Sequence, residues 1–215
     1  MSRPQKRYFV SGTDTGVGKT FVACLLARRA RERGAMVLAY KPIETGCTGQ
    51  LGEDQQALVE AAGSWQTGDA RGTYQFAMAA APSVAAAAEH RQIELDRIKL
   101  VLETSQRGCD LVLVEGAGGL RVPISDAVDT AELAHFLRLP LLIVARSGLG
   151  TINHTLLTIE AAERSGLSVA AVIFSRRPDE DLALASSNRD EIQARWPGRL
   201  ILLDSVEPAR LDMLL

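Results

Sequence analysis

Ten residues near the amino terminus, Ser11-Gly12-Thr13-Asp14-Thr15-Gly16-Val17-Gly18-Lys19-Thr20, constrain this chain more than any others. They follow a short apolar β-rich run, Tyr8 to Val10, and a helical pattern begins at Lys19. In a glycine-rich turn between a strand and a helix, backbone N–H groups can converge on phosphate oxygens, and the helix dipole adds positive potential there. Gly16 and Gly18 supply the freedom the turn needs. Lys19 is placed to reach the outer phosphates and the Thr20 hydroxyl to ligate magnesium. The strict phosphate-loop pattern has glycine where this chain has Thr13, a departure at one position. The motif predicts nucleoside-triphosphate binding and implies a sheet flanked by helices.

The rest of the chain agrees with that architecture. Apolar runs at Met36 to Tyr40, Leu111 to Val114, Leu141 to Val144, Val169 to Phe174 and Leu200 to Leu203 read as buried parallel strands. Helical patterns lie between them, near Lys19 to Arg33, Asp54 to Ala62, Leu95 to Arg107, Thr130 to Leu137, Ile152 to Ser165 and Asp181 to Arg195. Alternation of this kind predicts an α/β, doubly wound, mostly parallel sheet of the P-loop NTPase type, with ligands beyond the carboxyl ends of the strands. With 215 residues, 47% of them hydrophobic, a full core fits in a single domain spanning 1–215. The alanine-rich stretch from Ala77 to Ala88 reads as a small-residue helix packed against a neighbour.

Composition excludes several function classes. A formal charge of −2 leaves no basic excess for nucleic-acid phosphates, so no nucleic-acid partner is expected. No run approaches the roughly 20 apolar residues needed to span a bilayer, and the opening Met-Ser-Arg-Pro-Gln-Lys-Arg does not resemble a secretory signal. The short tail from Pro208 to Leu215 is not basic enough for membrane anchoring. Cys24, Cys47 and Cys109 show no pairing or metal spacing, so they read as structural thiols in a cytoplasmic protein.

Two further strand ends carry chemistry. Tyr40-Lys41-Pro42-Ile43-Glu44-Thr45-Gly46 places a second lysine beside the phosphate loop, where it can stabilise charge on a transferring phosphoryl group. Val114-Glu115-Gly116-Ala117-Gly118-Gly119 puts an acid after four apolar residues, as in strands whose carboxylate holds magnesium. Asp54, ahead of an amphipathic pattern, reads by itself as a helix N-cap.

These motifs, with Gly148-Leu149-Gly150-Thr151-Ile152-Asn153-His154, together resemble the dethiobiotin synthetase family over about residues 7 to 175. The resemblance implies ATP as co-substrate and Mg2+ as cofactor, with Lys41 and Lys19 as the catalytic lysines. It implies nucleotide contacts from Thr13, Asp14, Thr15, Gly16, Val17, Gly18, Lys19, Thr20 and Phe21, then from Asp54, Glu115, Gly116, Ala117 and Gly118, and from Ser175 and Arg176. Thr20, Asp54 and Glu115 become the magnesium set, which replaces the N-cap reading of Asp54. Thr45 becomes a substrate contact, and Gly150, Thr151 and Asn153 open a helix that receives the substrate carboxylate across a homodimer interface. His154 has no chemical role in this scheme and is expected to pack or cap.

The reaction so implied takes up carbon dioxide on one amine of 7,8-diaminopelargonic acid as a carbamate. The carbamate attacks the ATP γ-phosphorus, and the second amine closes the ring and expels phosphate. Each step moves negative charge between oxygens, which suits lysines, a divalent cation and backbone N–H groups. The chain departs from the family pattern at Gly16, where some members have glutamate, and at Ser175, where some have asparagine. Leu203-Asp204-Ser205-Val206 stands where a Gly-x-x-Pro-like loop over the base is expected. The main alternative is a partitioning or site-selecting switch ATPase, whose loop carries a lysine at the position of Asp14.

Overall fold

Alternation along the first strand establishes the layers: Phe9 enters one core, while Tyr8 and Val10 enter the other. Because side chains of a strand point alternately to its two faces, a sheet built from such strands must be covered on both sides. The computed structural model describes residues 4–203 and 208–215. In chain order its elements are β1 (Lys6–Gly12), α1 (Lys19–Glu32), β2 (Val37–Tyr40), β3 (Ile43–Thr45), α2 (Glu53–Ala61), β4 (Tyr74–Phe76), α3 (Pro82–Ala88) and α4 (Leu95–Ser105). There follow β5 (Leu111–Gly119), α5 (Thr130–Phe136), β6 (Leu141–Arg146), α6 (Thr151–Arg164), β7 (Val169–Ser175), α7 (Leu182–Gln193) and β8 (Leu200–Leu203). A 3-10 segment, Pro208–Leu214, closes the described chain and is held on α1 by paired hydrogen bonds from Arg29 to Asp212 of 2.7 and 2.8 Å.

Six strands form one sheet in the order β2-β5-β1-β6-β7-β8, with every pairing parallel. From β1 the chain runs to the edge strand β2, returns to β5 between them, then crosses to β6 and winds outward through β7 to β8, so the crevice for a ligand lies beyond the carboxyl end of β1, where the direction reverses. Helix α1 buries Val22, Leu26, Ala27 and Ala30 against one face, at the helical spacing of an apolar stripe. Helix α5 starts at a capping box: Asp129 accepts from the Glu132 N–H at 2.9 Å, and Glu132 accepts from the Asp129 N–H at 2.7 Å. Beyond α2, Trp65 Nε1 donates to the Val37 carbonyl at 2.8 Å and Gln66 Nε2 to the Ala39 carbonyl at 2.9 Å, both on the outer strand β2. No helix of the described residues is long and apolar enough to cross a membrane.

Three features differ from the sequence reading. Strands β3 and β4 form a separate two-stranded parallel sheet, too short for any periodicity to reveal. The alanine-rich stretch becomes helical only at Pro82, since Pro is suited to the first helical turn and residues 77–81 run irregularly ahead of it. Strand β5 continues through Glu115 to Gly119, so the acid lies within the strand.

Candidate active site

The phosphate loop leaves β1 beside β6, where the Thr13 N–H donates to the Val144 carbonyl at 2.9 Å. Asp14 Oδ1 accepts from the Thr15 N–H at 2.7 Å, a local turn that Asp supports readily. Gly16 and Gly18 both take positive φ, 72° and 98°, and Gly18 is the residue from which α1 starts. Val17 is buried and pins the loop to the core. Lys19 is buried and donates to the Asp14 carbonyl at 3.1 Å, so its ammonium curls back over the loop it belongs to. Burial pulls its pKa below the ordinary lysine value, partly offset by the Glu115 carboxylate.

Strand register delivers the other groups. Val10 of β1 lies opposite Glu115 of β5, and Tyr40 of β2 lies opposite Val114, so Lys41 emerges next to Glu115. Lys41 Nζ donates to Glu115 Oε1 at 2.9 Å and also to Asp54 Oδ2. The Thr20 hydroxyl donates to the same Glu115 oxygen at 2.9 Å. Burial alone would lower the Lys41 pKa, but the Glu115 and Asp54 carboxylates outweigh it and hold that pKa above the lysine range. The Asp54 carboxyl, which burial would raise, is held below its usual value by Lys41.

Lys19, Thr20, Lys41, Asp54 and Glu115 line one cavity of about 800 Å3, together with Thr15, Gly16, Gly18, Phe21, Thr45, Ala117 and Gly118. Glu115 is 1% exposed and its Oε2 is buried without a hydrogen-bond partner. A buried anionic oxygen without a donor is what a hard cation satisfies, so the residues present fit magnesium. Among the described residues no three His, Cys, Asp or Glu are arranged to hold a metal ion by themselves; two carboxylates and one hydroxyl leave most of an octahedral shell to phosphate and water. Gly116 has no room for a side chain, since a Cβ there meets Phe9 at 2.7 Å.

Several expected residues lie elsewhere. Gly150, Thr151 and Asn153 are at the N-terminus of α6, and none of them lines the cavity of this chain. The Thr151 hydroxyl is buried and donates to the Arg146 carbonyl at 2.5 Å. His154, expected to pack or cap, is exposed in the first turn of α6 and is not part of the core. Ser175 lies against the phosphate loop, where a Cβ added to Gly18 meets its Oγ at 2.8 Å. Arg176 Nη1 donates to the Arg177 and Glu180 carbonyls, at 3.1 and 2.6 Å, while Arg177 Nη2 reaches the Gly16 carbonyl at 3.2 Å. The segment read as an atypical base loop extends over residues 204–206, outside the described residues. Of the cysteines, Cys24 and Cys109 are buried and Cys47 is half-buried; burial raises the Cys24 and Cys109 thiols to about 11, out of the reactive range.

Sequence reasoning missed two groups. Asp54 is the second residue of α2 rather than its cap: its own N–H donates to Glu44 Oε1 at 3.0 Å. Glu44 from β3 and the buried Gln55 therefore build this corner, and the only advance signal was Glu44's place two residues after Lys41-Pro42. The second group is Ala79 to Pro82, which forms an apolar cavity wall with Ile43 and Val122.

The chain is similar to known proteins over most of its length. A family model described as an AAA domain matches residues 6–203. The ATP-dependent dethiobiotin synthetase of Anaeromyxobacter dehalogenans strain 2CP-C is 45% identical over 184 residues, covering 86% of this chain and 82% of that protein. The synthetase of Aromatoleum aromaticum is 40% identical over 205 residues, covering 94% and 90%. That of Aquifex aeolicus is 40% identical over 177 residues, covering 82% and 79%. Among solved structures, the signal recognition particle receptor FtsY of Elizabethkingia anophelis aligns with a TM-score of 0.55 at 16% identity, over 97% of this chain and 62% of its own. A DUF1611 family protein of Anabaena variabilis gives 0.56 at 18%, over 99% and 56%. This chain spans less than two thirds of each of those two structures, and the likeness concerns fold alone. A phosphate loop, two lysines and two carboxylates gathered at one sheet edge, together with relatives of this identity and coverage, place the chain in the dethiobiotin synthetase family.

Proposed function

We propose that this chain closes the ureido ring of dethiobiotin from 7,8-diaminopelargonic acid and carbon dioxide, consuming ATP with magnesium. Family membership makes it an ATP-dependent ligase of biotin biosynthesis; the substrates, the metal and the residue roles are our reading. One observation carries that reading: two lysines, three carboxylates (Glu44, Asp54 and Glu115) and the Thr20 hydroxyl line a single cavity at the mouth of a phosphate loop.

Residues Thr13 to Thr20 cradle the triphosphate through backbone N–H groups, and Phe21, more than half exposed at the cavity mouth, flanks it. Thr20, Asp54 and Glu115 hold the magnesium ion, which neutralises phosphate charge when bound. Lys41 orients the carbamate formed on one substrate amine, and Lys19 stabilises charge on the γ-phosphoryl group as a carbamate oxygen attacks phosphorus and ADP leaves. The second amine then attacks the carbonyl carbon of the carbamic-phosphoric anhydride, and phosphate departs. The Gly116-Ala117-Gly118 backbone lets substrate approach closely, Thr45 contacts it, and the wall from Ala79 to Pro82 shields the anhydride from water. Ser175 and Arg176 flank the base. A second copy supplies the N-terminus of its α6, at Gly150, Thr151 and Asn153, to the substrate carboxylate. Leu149, 94% exposed beside that terminus, and the exposed Leu157 on the same helix support an interface there. We assign the reaction to the cytoplasm, where free thiols persist.

Phosphate release from ATP and magnesium, with and without the diamine and bicarbonate, tests the assignment. Release is expected to require the diamine and to fall at least about a hundredfold in Lys41→Ala, the scale of losing one charge-stabilising group. Turnover that ignores the diamine and survives the substitution would point to the switch ATPase instead.

A further inference from the structure

The two cavity carboxylates that Lys41 bridges are positioned by different means, while the third, Glu44, has both oxygens committed to backbone N–H groups. Glu115 is set by the register of central strand β5 against β1. Asp54 lies on α2, outside the six-stranded sheet, and its place depends on what anchors the start of that helix.

Glu44 provides the anchor. Its two oxygens accept from consecutive backbone N–H groups at the start of α2, Oε1 from Asp54 at 3.0 Å and Oε2 from Gln55 at 2.8 Å. Gln55, 0% exposed, completes the corner: its Nε2 donates to the carbonyls of Lys41 at 3.1 Å and Tyr74 at 3.2 Å, while its Oε1 accepts from Gly52 N and Gln75 Nε2. Both side chains depend on glycines, since a Cβ at Gly52 comes within 2.0 Å of Glu44 Cδ and one at Gly72 within 2.3 Å of Gln55 Cδ. Glu44 thus holds the residue carrying one site carboxylate, and Gln55 ties that helix to the carbonyl of the lysine that bridges both carboxylates.

We infer that Glu44 is a positioning residue: by capping α2 it sets the distance between the Asp54 and Glu115 carboxylates and thereby the affinity of the site for a divalent cation. The inference rests on the magnesium reading given above. A carboxylate one shell out that orients a ligand contributes tenfold or more in metal affinity. A purely structural cap would change stability and leave affinity unmoved.

The test is Mn2+ binding to the full chain in the presence of a non-hydrolysable ATP analogue, followed by electron paramagnetic resonance. In Glu44→Gln, whose amide repels one of the two N–H groups, the Mn2+ dissociation constant rises roughly tenfold, while analogue affinity measured in chelator stays at the wild-type value. Glu44→Asp keeps the charge but falls one methylene short; it shows the same loss and serves if the glutamine variant does not fold. Val59→Ala, which opens a cavity on the buried face of α2, lowers the melting temperature without changing Mn2+ affinity. Wild-type affinity in both Glu44 variants, or equal weakening in Val59→Ala, overturns the inference. A wild-type protein that takes up no Mn2+ overturns the magnesium reading, and this inference with it.

Discussion

At the scale of single residues, Lys41 governs the electrostatics of the site. Its ammonium is buried, as is Glu115, and the two are 2.9 Å apart. Removing one member of such a pair leaves an uncompensated buried charge, so Lys41→Met should destabilise the fold by about 3–5 kcal/mol. Urea denaturation measures this, and the double variant Lys41→Met, Glu115→Gln should recover most of the loss; equal losses in both would remove charge from the explanation. The pH dependence follows from the shift directions. The Lys41 pKa is raised on folding, so its contribution is complete at neutral pH and is lost only as pH climbs through the raised value. The Asp54 pKa is lowered, so its contribution is present at neutral pH and is lost in acid, below the ordinary carboxylate range.

At the scale of elements, α1 begins at a glycine constrained twice over. Gly18 has a φ of 98°, and a Cβ added there meets Ser175 Oγ at 2.8 Å. Gly18→Ala should therefore cost about 1–3 kcal/mol, and Ser175→Gly in the same chain should return the contact part and leave the backbone part, as thermal melts of the three variants would reveal. Full recovery would mean that the backbone is unstrained. The elements also mark how far the sequence was legible. The six long strands and the helices between them lie within a few residues of where periodicity put them, because runs such as Leu111 to Val114 are buried on both faces. The short β3 and β4 were illegible: three residues carry no period, and their pairing joins segments about thirty positions apart. For the same reason Glu44 and Gln55 escaped notice, since a cap donated from a distant strand leaves no local pattern of the Asp129 and Glu132 kind. Lys41 and Glu115 were legible because each directly follows, or lies within, an apolar strand, and Lys19 because it closes a glycine-rich loop between a strand and a helix.

At the scale of the whole molecule, the proposed substrate site needs a second copy. Gly150, Thr151 and Asn153 at the N-terminus of α6 do not line the cavity of their own chain, and Leu149 beside them is almost fully exposed. Leu149→Arg should shift sedimentation velocity from dimer to monomer and raise the KM for the diamine more than that for ATP; a wild type that sediments as a monomer would contradict the arrangement. The hydrogen bonds from Trp65 and Gln66 to the carbonyls of β2 bear on association of another kind. An outermost strand with open carbonyls is a template on which a foreign strand can grow. Here two side chains from the chain's own loop occupy two of those acceptors, so the sheet margin beside Lys41 is protected against runaway polymerisation.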